Sequence, residues 1–264
     1  MTETILAALR LLAGAAPLAA AACAALATRS VPLAADGHAP PGPGKKELDL
    51  DLMKAELADE EAVLGQDHPE VIVKTKKLGR DMLKLGQFEA AAEAMSRLSS
   101  SLERLFGPDD PGARSADLFL GLALLGSGDN AGARELLVKV ADGACRESGG
   151  TSSTEPFCLG LAGLASRRLD ETEASEAAFG RASEGYARLF GPAFGSPASA
   201  EMLMAVSAEH VGLHDAALEL LALAVEKCAK NPDSVQTRQL LEKDRLESLM
   251  KTIWLPADFF GPEY

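Results

Sequence analysis

The tetrapeptide Leu-Phe-Gly-Pro occurs twice, at residues 105–108 and 189–192, 84 residues apart. An internal repeat restricts a fold more than composition does, because each copy must be one structural unit stacked on the next. Half of that distance is the working period. Gly65, Gly107, Gly149 and Gly191 fall on one 42-residue register, and Gly79, Gly121, Gly163 and Ala205 on a second. A third holds Ala91, Ala133, Ser175 and Ala217, a fourth Met95, Leu137, Phe179 and Leu221, and a fifth Leu98, Val140, Ala182 and Ala224. None needs an insertion or a deletion. Low-complexity alanine could imitate one such register, but not five of different residue types.

Each unit reads as two helices. In the first, residues 71–85 precede the breaker Gly86-Gln87 and residues 88–106 follow it. Ser127-Gly128-Asp129-Asn130 and Gly212-Leu213-His214-Asp215 are the breakers of the second and fourth units. Pro69, Pro111, Pro156 and Pro197 lie between units, where proline can open a first helix because the N–H it lacks would be unused. Small residues on the second and third registers let paired helices approach closely. Large apolar residues on the fourth are expected to fill the space between pairs. In Leu-Phe-Gly-Pro the phenylalanine anchors the end of a second helix, the glycine takes the turn and the proline prevents continuation.

Composition agrees. Hydrophobic residues make up 47% of the 264, yet aromatics only 5%, so alanine and leucine dominate and favour helix over sheet. The expected fold class is all-α: an α-solenoid of about four helix-turn-helix repeats with capping helices. The units span 65–106, 107–148, 149–190 and 191–232, within a repeat domain 47–232. A cap helix is expected at 47–64. A C-terminal cap helix and an aromatic tail are expected at 233–264, with Leu240, Leu241, Leu246, Leu249 and Ile253 near helical spacing.

The stretch Lys77-Leu78-Gly79-x-x-Met82-x-x-x-Gly86-x-Phe88-x-x-Ala91-x-x-x-Met95-x-x-Leu98 resembles a tetratricopeptide repeat. Leu64-Gly65-Gln66-Asp67-His68-Pro69-Glu70-Val71 is similar to the linker between repeats of the kinesin light chain type, whose units are also 42 residues long. Gly107-Pro108-Asp109-Asp110-Pro111 is a looser second copy, and the resemblance runs from about Leu64 to Lys230. It implies that first helices line a concave groove that receives a peptide or helix of a partner protein. The groove residues it selects are Lys76, Arg80 and Lys84 in the first unit and Leu118, Leu122 and Leu125 in the second. The third adds Leu164 and Arg167, beside Arg168, and the fourth Met202. Such a groove suits apolar anchors with acidic flanks. Phe119, Phe157 and Leu161 stand where carboxylate-gripping relatives carry polar residues, which argues against a carboxylate clamp.

The function expected on these grounds is non-catalytic: a protein-interaction scaffold or assembly factor. A structural subunit of a membrane or organelle complex is the alternative, and an enzyme or metal-binding protein a minor one. The net charge of −13 argues against a nucleic-acid partner, which needs a basic face. No phosphate-binding loop, nucleophile motif or catalytic group is found, and no cofactor is implied. His210 and His214 have a metal-like spacing, but Gly212 breaks the helix between them and no metal site is expected. Cys145 and Cys158 flank a Gly/Ser/Thr-rich loop and are a candidate disulfide in an oxidising compartment. Trp254, Phe259, Phe260 and Tyr264 form a candidate docking tail, four of the twelve aromatics in the last eleven residues.

The N-terminus stands apart. Residues 11–27 carry no charge, and Ala25-Leu26-Ala27 offers a small-x-small cleavage pattern. Residues 1–27 therefore read as a signal peptide, giving a secreted, periplasmic or organelle-lumenal protein. The alternative is an N-terminal anchor, with membrane association through residues 5–27 if they are not cleaved. The Pro/Gly-rich residues 28–46 read as a linker.

Overall fold

The computed structural model describes residues 45–192 and 197–230. Among them the chain forms helices joined by short turns, with no strand. A lone helix, α1 (Lys45–Leu64), leads four hairpins. These pair α2 (Pro69–Lys84) with α3 (Phe88–Phe106), and α4 (Pro111–Ser127) with α5 (Asn130–Ser148). They continue with α6 (Thr154–Arg168) and α7 (Thr172–Phe190), then α8 (Pro197–His210) and α9 (His214–Lys230). Neighbouring helices pack on each other along the chain, and α4 also touches α2 while α8 touches α6. This is an all-α repeat solenoid. The second helices begin at Phe88, Asn130, Thr172 and His214, a constant step of 42. First helices are less regular: α6 starts at Thr154, so Pro156 is its third residue and not its opener.

Local chemistry sets these bounds. Pro69 and Pro111 open α2 and α4, and the side chains of His68 and Asp110 cap them by accepting from the amides of Glu70 and Ala113. Asp129 caps α5 in the same way, through the Gly132 amide at 3.0 Å. Both copies of Leu-Phe-Gly-Pro make one and the same turn. Gly107 and Gly191 each have φ 96, with ψ 166 and 167, and each donates back to the carbonyl four residues earlier at 2.9 Å. An L side chain is strained at that φ.

Within a hairpin the second register meets the fourth. A Cβ added to Gly121 would lie 3.0 Å from Leu137, and one on Gly163 would lie 3.3 Å from Phe179; Gly79 faces Met95 likewise. The large residues thus fill space inside their own hairpin, and the expectation that they fill the space between hairpins is corrected. Glycine there lets the two backbones come close.

Each hairpin is clasped at its open end by an ion pair. Asp67, in the α1–α2 turn, meets Arg104 of α3, and Arg114 of α4 meets Glu147 of α5. Glu155 of α6 meets Arg188 of α7 at 2.9 Å, and Glu201 of α8 meets Lys227 of α9. Every clasp joins the start of a first helix, or the turn before it, to the end of a second. The pairs are therefore antiparallel, and all second helices end on the same side of the molecule. On the other side the solenoid closes on itself. A Cβ on Gly212, in the α8–α9 turn, would lie 2.6 Å from the Leu83 carbonyl oxygen and 2.8 Å from the Lys84 Cα. The fourth hairpin's turn rests on the end of the first hairpin's α2.

Candidate partner-binding surface

The expected groove residues divide into two groups. Lys76 and Arg80 of α2 are half-buried and Lys84 is exposed. The Arg80 guanidinium sits 5.8 Å above the centre of the Phe119 ring on α4, a cation–π contact that aims it across the inner face. Burial, and after it the neighbouring Arg80 charge, pulls the Lys76 ammonium pKa below its ordinary value. These three side chains lie on successive turns of one helix, so the α2 edge is a cationic stripe.

The apolar members are not groove residues. Leu118, Leu122, Leu125, Leu164 and Met202 are all buried, Leu122 and Leu164 at 0% exposure. The cause is the number of helices packed around each one. α6 is covered by α5, α7 and α8, and residues 155–166 are buried without a break. The resemblance supplied the helices of an open groove, but this chain fills that space with its own leucines. Arg167 is exposed on the last turn of α6. Its neighbour Arg168 is a structural tie: it donates to Glu219 of α9 at 2.8 and 3.1 Å and to the Leu125 carbonyl at 3.1 Å. Arg168 thereby satisfies an end carbonyl of α4 while binding the third hairpin to the fourth.

Sequence reasoning missed two polar systems that the 42-residue period carries. The first is the register Thr75, Asp117, Leu159, Glu201. Asp117 is buried and accepts from Ser99 and, at 2.8 Å, from Lys139. Those bonds, led by Asp117 itself, raise the Lys139 pKa. Glu201 is 0% exposed, bonded to Lys227 through Oε1, while Oε2 has no hydrogen-bond partner. Burial pushes the Glu201 pKa up against the pull of Lys227. The second is the register Arg97, Lys139, Arg181, where each base reaches back to an acid on the preceding second helix. The pairs are Arg97–Glu61 at 3.5 Å, Lys139–Glu103 at 3.3 Å and Arg181–Asp142 at 3.2 Å. Basic residues at a constant step of 42 were the available signal.

The cysteines expected as a candidate pair are separate. Cys145 and Cys158 are free thiols, and Cys158 is fully buried in α6, where burial drives its pKa up. Reach across the open end of that hairpin is supplied by Glu155 and Arg188 instead. His214 lies 2.7 Å from a Glu209 oxygen, and His68 is a helix cap. Among the described residues no group of three or more His, Cys, Asp and Glu side chains is placed to hold a metal ion. None of the described helices is long and apolar enough to cross a membrane. The signal or anchor at 1–27, the linker up to residue 44, the C-terminal cap helix, Trp254, Phe259, Phe260 and Tyr264 lie outside the described residues.

One exposed surface is apolar. Val63 (81% exposed) and Leu64 end α1, and Leu105 and Phe106 (65% exposed) end α3. They occupy equivalent register positions on adjacent second-type helices, at the clasped side of the molecule. The same positions hold Glu147 and Ser148 on α5, and Leu189 and Phe190 on α7, both half-buried, with Phe190 stacked on Tyr186 at 6.2 Å. Beside this rim a shallow, open crevice with room for about 20 Å³ lies between α1, α2 and α3, lined by Val71, Ile72 and Leu98 and edged by Glu61 and Arg97. No protein-family model matches the chain, and no curated protein matches it.

Proposed function

We propose that the protein is a non-catalytic scaffold or assembly factor that captures an acidic segment of a partner protein along the α2 edge, and that its repeats are of the tetratricopeptide type. One observation carries the reading: Lys76, Arg80 and Lys84 line one helix face on a chain of net charge −13. Burial chiefly, and the Arg80 charge after it, lower the Lys76 pKa, so an arriving carboxylate offsets lost hydration as well as a repulsion. The closed inner face confines this capture to the edge and turns of the solenoid, and contact within such a stripe is salt-sensitive.

The test is affinity capture from the native source with Arg80→Glu and Lys84→Glu combined. Capture is expected to fall at least about tenfold, the effect of roughly 1.4 kcal/mol, with helicity unchanged. Undiminished capture by a variant of normal helicity removes the basic-edge reading. The N-terminus of the captured chain, read by mass spectrometry, separates an exported protein beginning near Thr28 from one anchored by residues 5–27.

A further inference from the structure

The rim formed by Val63, Leu64, Leu105 and Phe106 holds four of the exposed large apolar side chains among the described residues, and the cationic edge does not use it. Two of its side chains keep over half of their surface in water, which costs a folded chain about 25 cal/mol for each Å² left uncovered. The question is what covers it.

The chain's own C-terminus is placed to do so. α9 runs parallel to α3, because both are second helices and the clasps fix their common direction. Residue 230 therefore leaves the described structure on the same side as Phe106. Another 34 residues follow, and extended they reach about 110 Å at roughly 3.3 Å each. Even with a helix through residues 233–254, about 30 Å long, ten residues remain for contact. The gap to be crossed is three hairpin spacings of roughly 10 Å each, and the curl that brings Gly212 onto Leu83 shortens it. The last eleven residues, Trp254-Leu-Pro-Ala-Asp-Phe-Phe-Gly-Pro-Glu-Tyr264, combine four aromatics with two prolines. Proline lowers the entropy lost on docking and aromatics supply the buried area.

We infer that the C-terminal segment 254–264 docks within the same chain on the rim Val63, Leu64, Leu105 and Phe106, with its aromatic side chains laid over these four. This does not depend on the proposed capture along α2. It also accounts for a difference along the solenoid: Val63 and Phe106 are the most exposed of these tips, while Leu189 and Phe190 of α7 are half-buried.

The experiment uses the full chain with p-benzoylphenylalanine in place of Phe106, an exposed position where the reporter disturbs little. Irradiation should link position 106 to a peptide within 254–264 at the mass of a monomer. The yield should fall at least about fivefold when Phe259→Asp and Phe260→Asp are introduced together. A reporter replacing Leu218, exposed on α9, should give no link to 254–264. Trp254 is the chain's single tryptophan, so its emission should shift red in the full chain carrying Leu105→Asp and Phe106→Asp. A link between two chains makes the rim a dimer interface and overturns the inference. A link to another polypeptide, or no link to 254–264, overturns it equally.

Discussion

α2 and α6 are both first helices, two units apart in register, yet they live in different solvents. α2 buries Val71, Thr75, Leu78, Gly79, Met82 and Leu83, one stripe at helical spacing, and keeps cations on its other face. α6 buries twelve residues in succession. The equivalent positions are Arg80 on α2 and Leu164 on α6. A repeat register fixes where a backbone goes. Whether a position is wet depends on how many neighbours the unit has, and the end unit has fewer. Charge faces water at the end of the stack, while in its middle the buried acids Asp117 and Glu155 are each held by a basic partner.

The comparison predicts its own largest effect. Leu164→Asp places an unpaired carboxylate among α5, α7 and α8 and should cost about 4–5 kcal/mol, enough to unfold a marginal domain. Arg80→Asp at the equivalent position should cost about 1 kcal/mol, chiefly the contact over Phe119. Urea denaturation of the two variants measures the difference. Equal losses would mean that α2 is as enclosed as α6.

Closure of the solenoid can be broken next. Gly212→Val sets a β-branched side chain at φ 90 and within 2.6 Å of the Leu83 carbonyl oxygen. The expected cost is about 3 kcal/mol, from the strained backbone and the displaced first hairpin together. Gly107→Ala has the same backbone problem with open space around the Cβ, and should cost about 1 kcal/mol. Small-angle scattering should show the Gly212 variant expanded and the Gly107 variant unchanged. A Gly212 variant of unchanged size and stability would mean that the first and fourth hairpins separate freely.

Much of this architecture was legible because the period is exact over the second helices. The spacing from Phe88 to His214 needed only counting, and the turn at Gly107 and Gly191 followed from two identical tetrapeptides. The curl was not legible. Nothing local in Gly212 says that a backbone 129 residues earlier lies against it, and nothing local in Leu118, Leu122 and Leu164 says that neighbouring helices cover them. Leucine at a first-helix position serves both roles, and only the tertiary neighbours choose between them. The cations of α2 were legible as one stripe from their spacing of four, but the structure half-buries Lys76 and Arg80 and exposes Lys84. The ladder through Arg97, Lys139 and Arg181 was present in the same period and was missed, because attention to apolar registers passes over charged ones.

The buried pair Glu201–Lys227 and the exposed ladder make the finer contrast, two kinds of ion pair in one molecule. Lys227→Met removes the basic partner of a carboxylate with 0% exposure and should cost about 2 kcal/mol near neutral pH. Its sign with pH is unusual for an acid. Burial raises the Glu201 pKa above the ordinary 4.5, so between those two values the folded state holds the extra proton. Stability from this group is full below about 4.5 and declines as pH rises through the raised folded value. Lys227→Met should steepen that decline, and Glu201→Gln should abolish it. A Lys227→Met variant with an unchanged pH profile would show that the carboxylate finds other solvation.

Arg181→Ala should have the smallest effect, under about 0.5 kcal/mol, since Arg181 and Asp142 are each about half exposed (52% and 48%) and screened by water. Lys139→Ala should cost more although it stands on the same ladder, because Lys139 also bonds Asp117, whose side chain is 7% exposed. The two variants isolate burial of the acid from the presence of an ion pair. If the ladder held the hairpins together by charge alone, both losses would be alike and both would shrink in high salt. If burial decides, only the Arg181 loss should vanish in salt while most of the Lys139 loss persists. That result would place the ladder with solubility and alignment, and leave cohesion to the glycine–leucine contacts inside each hairpin.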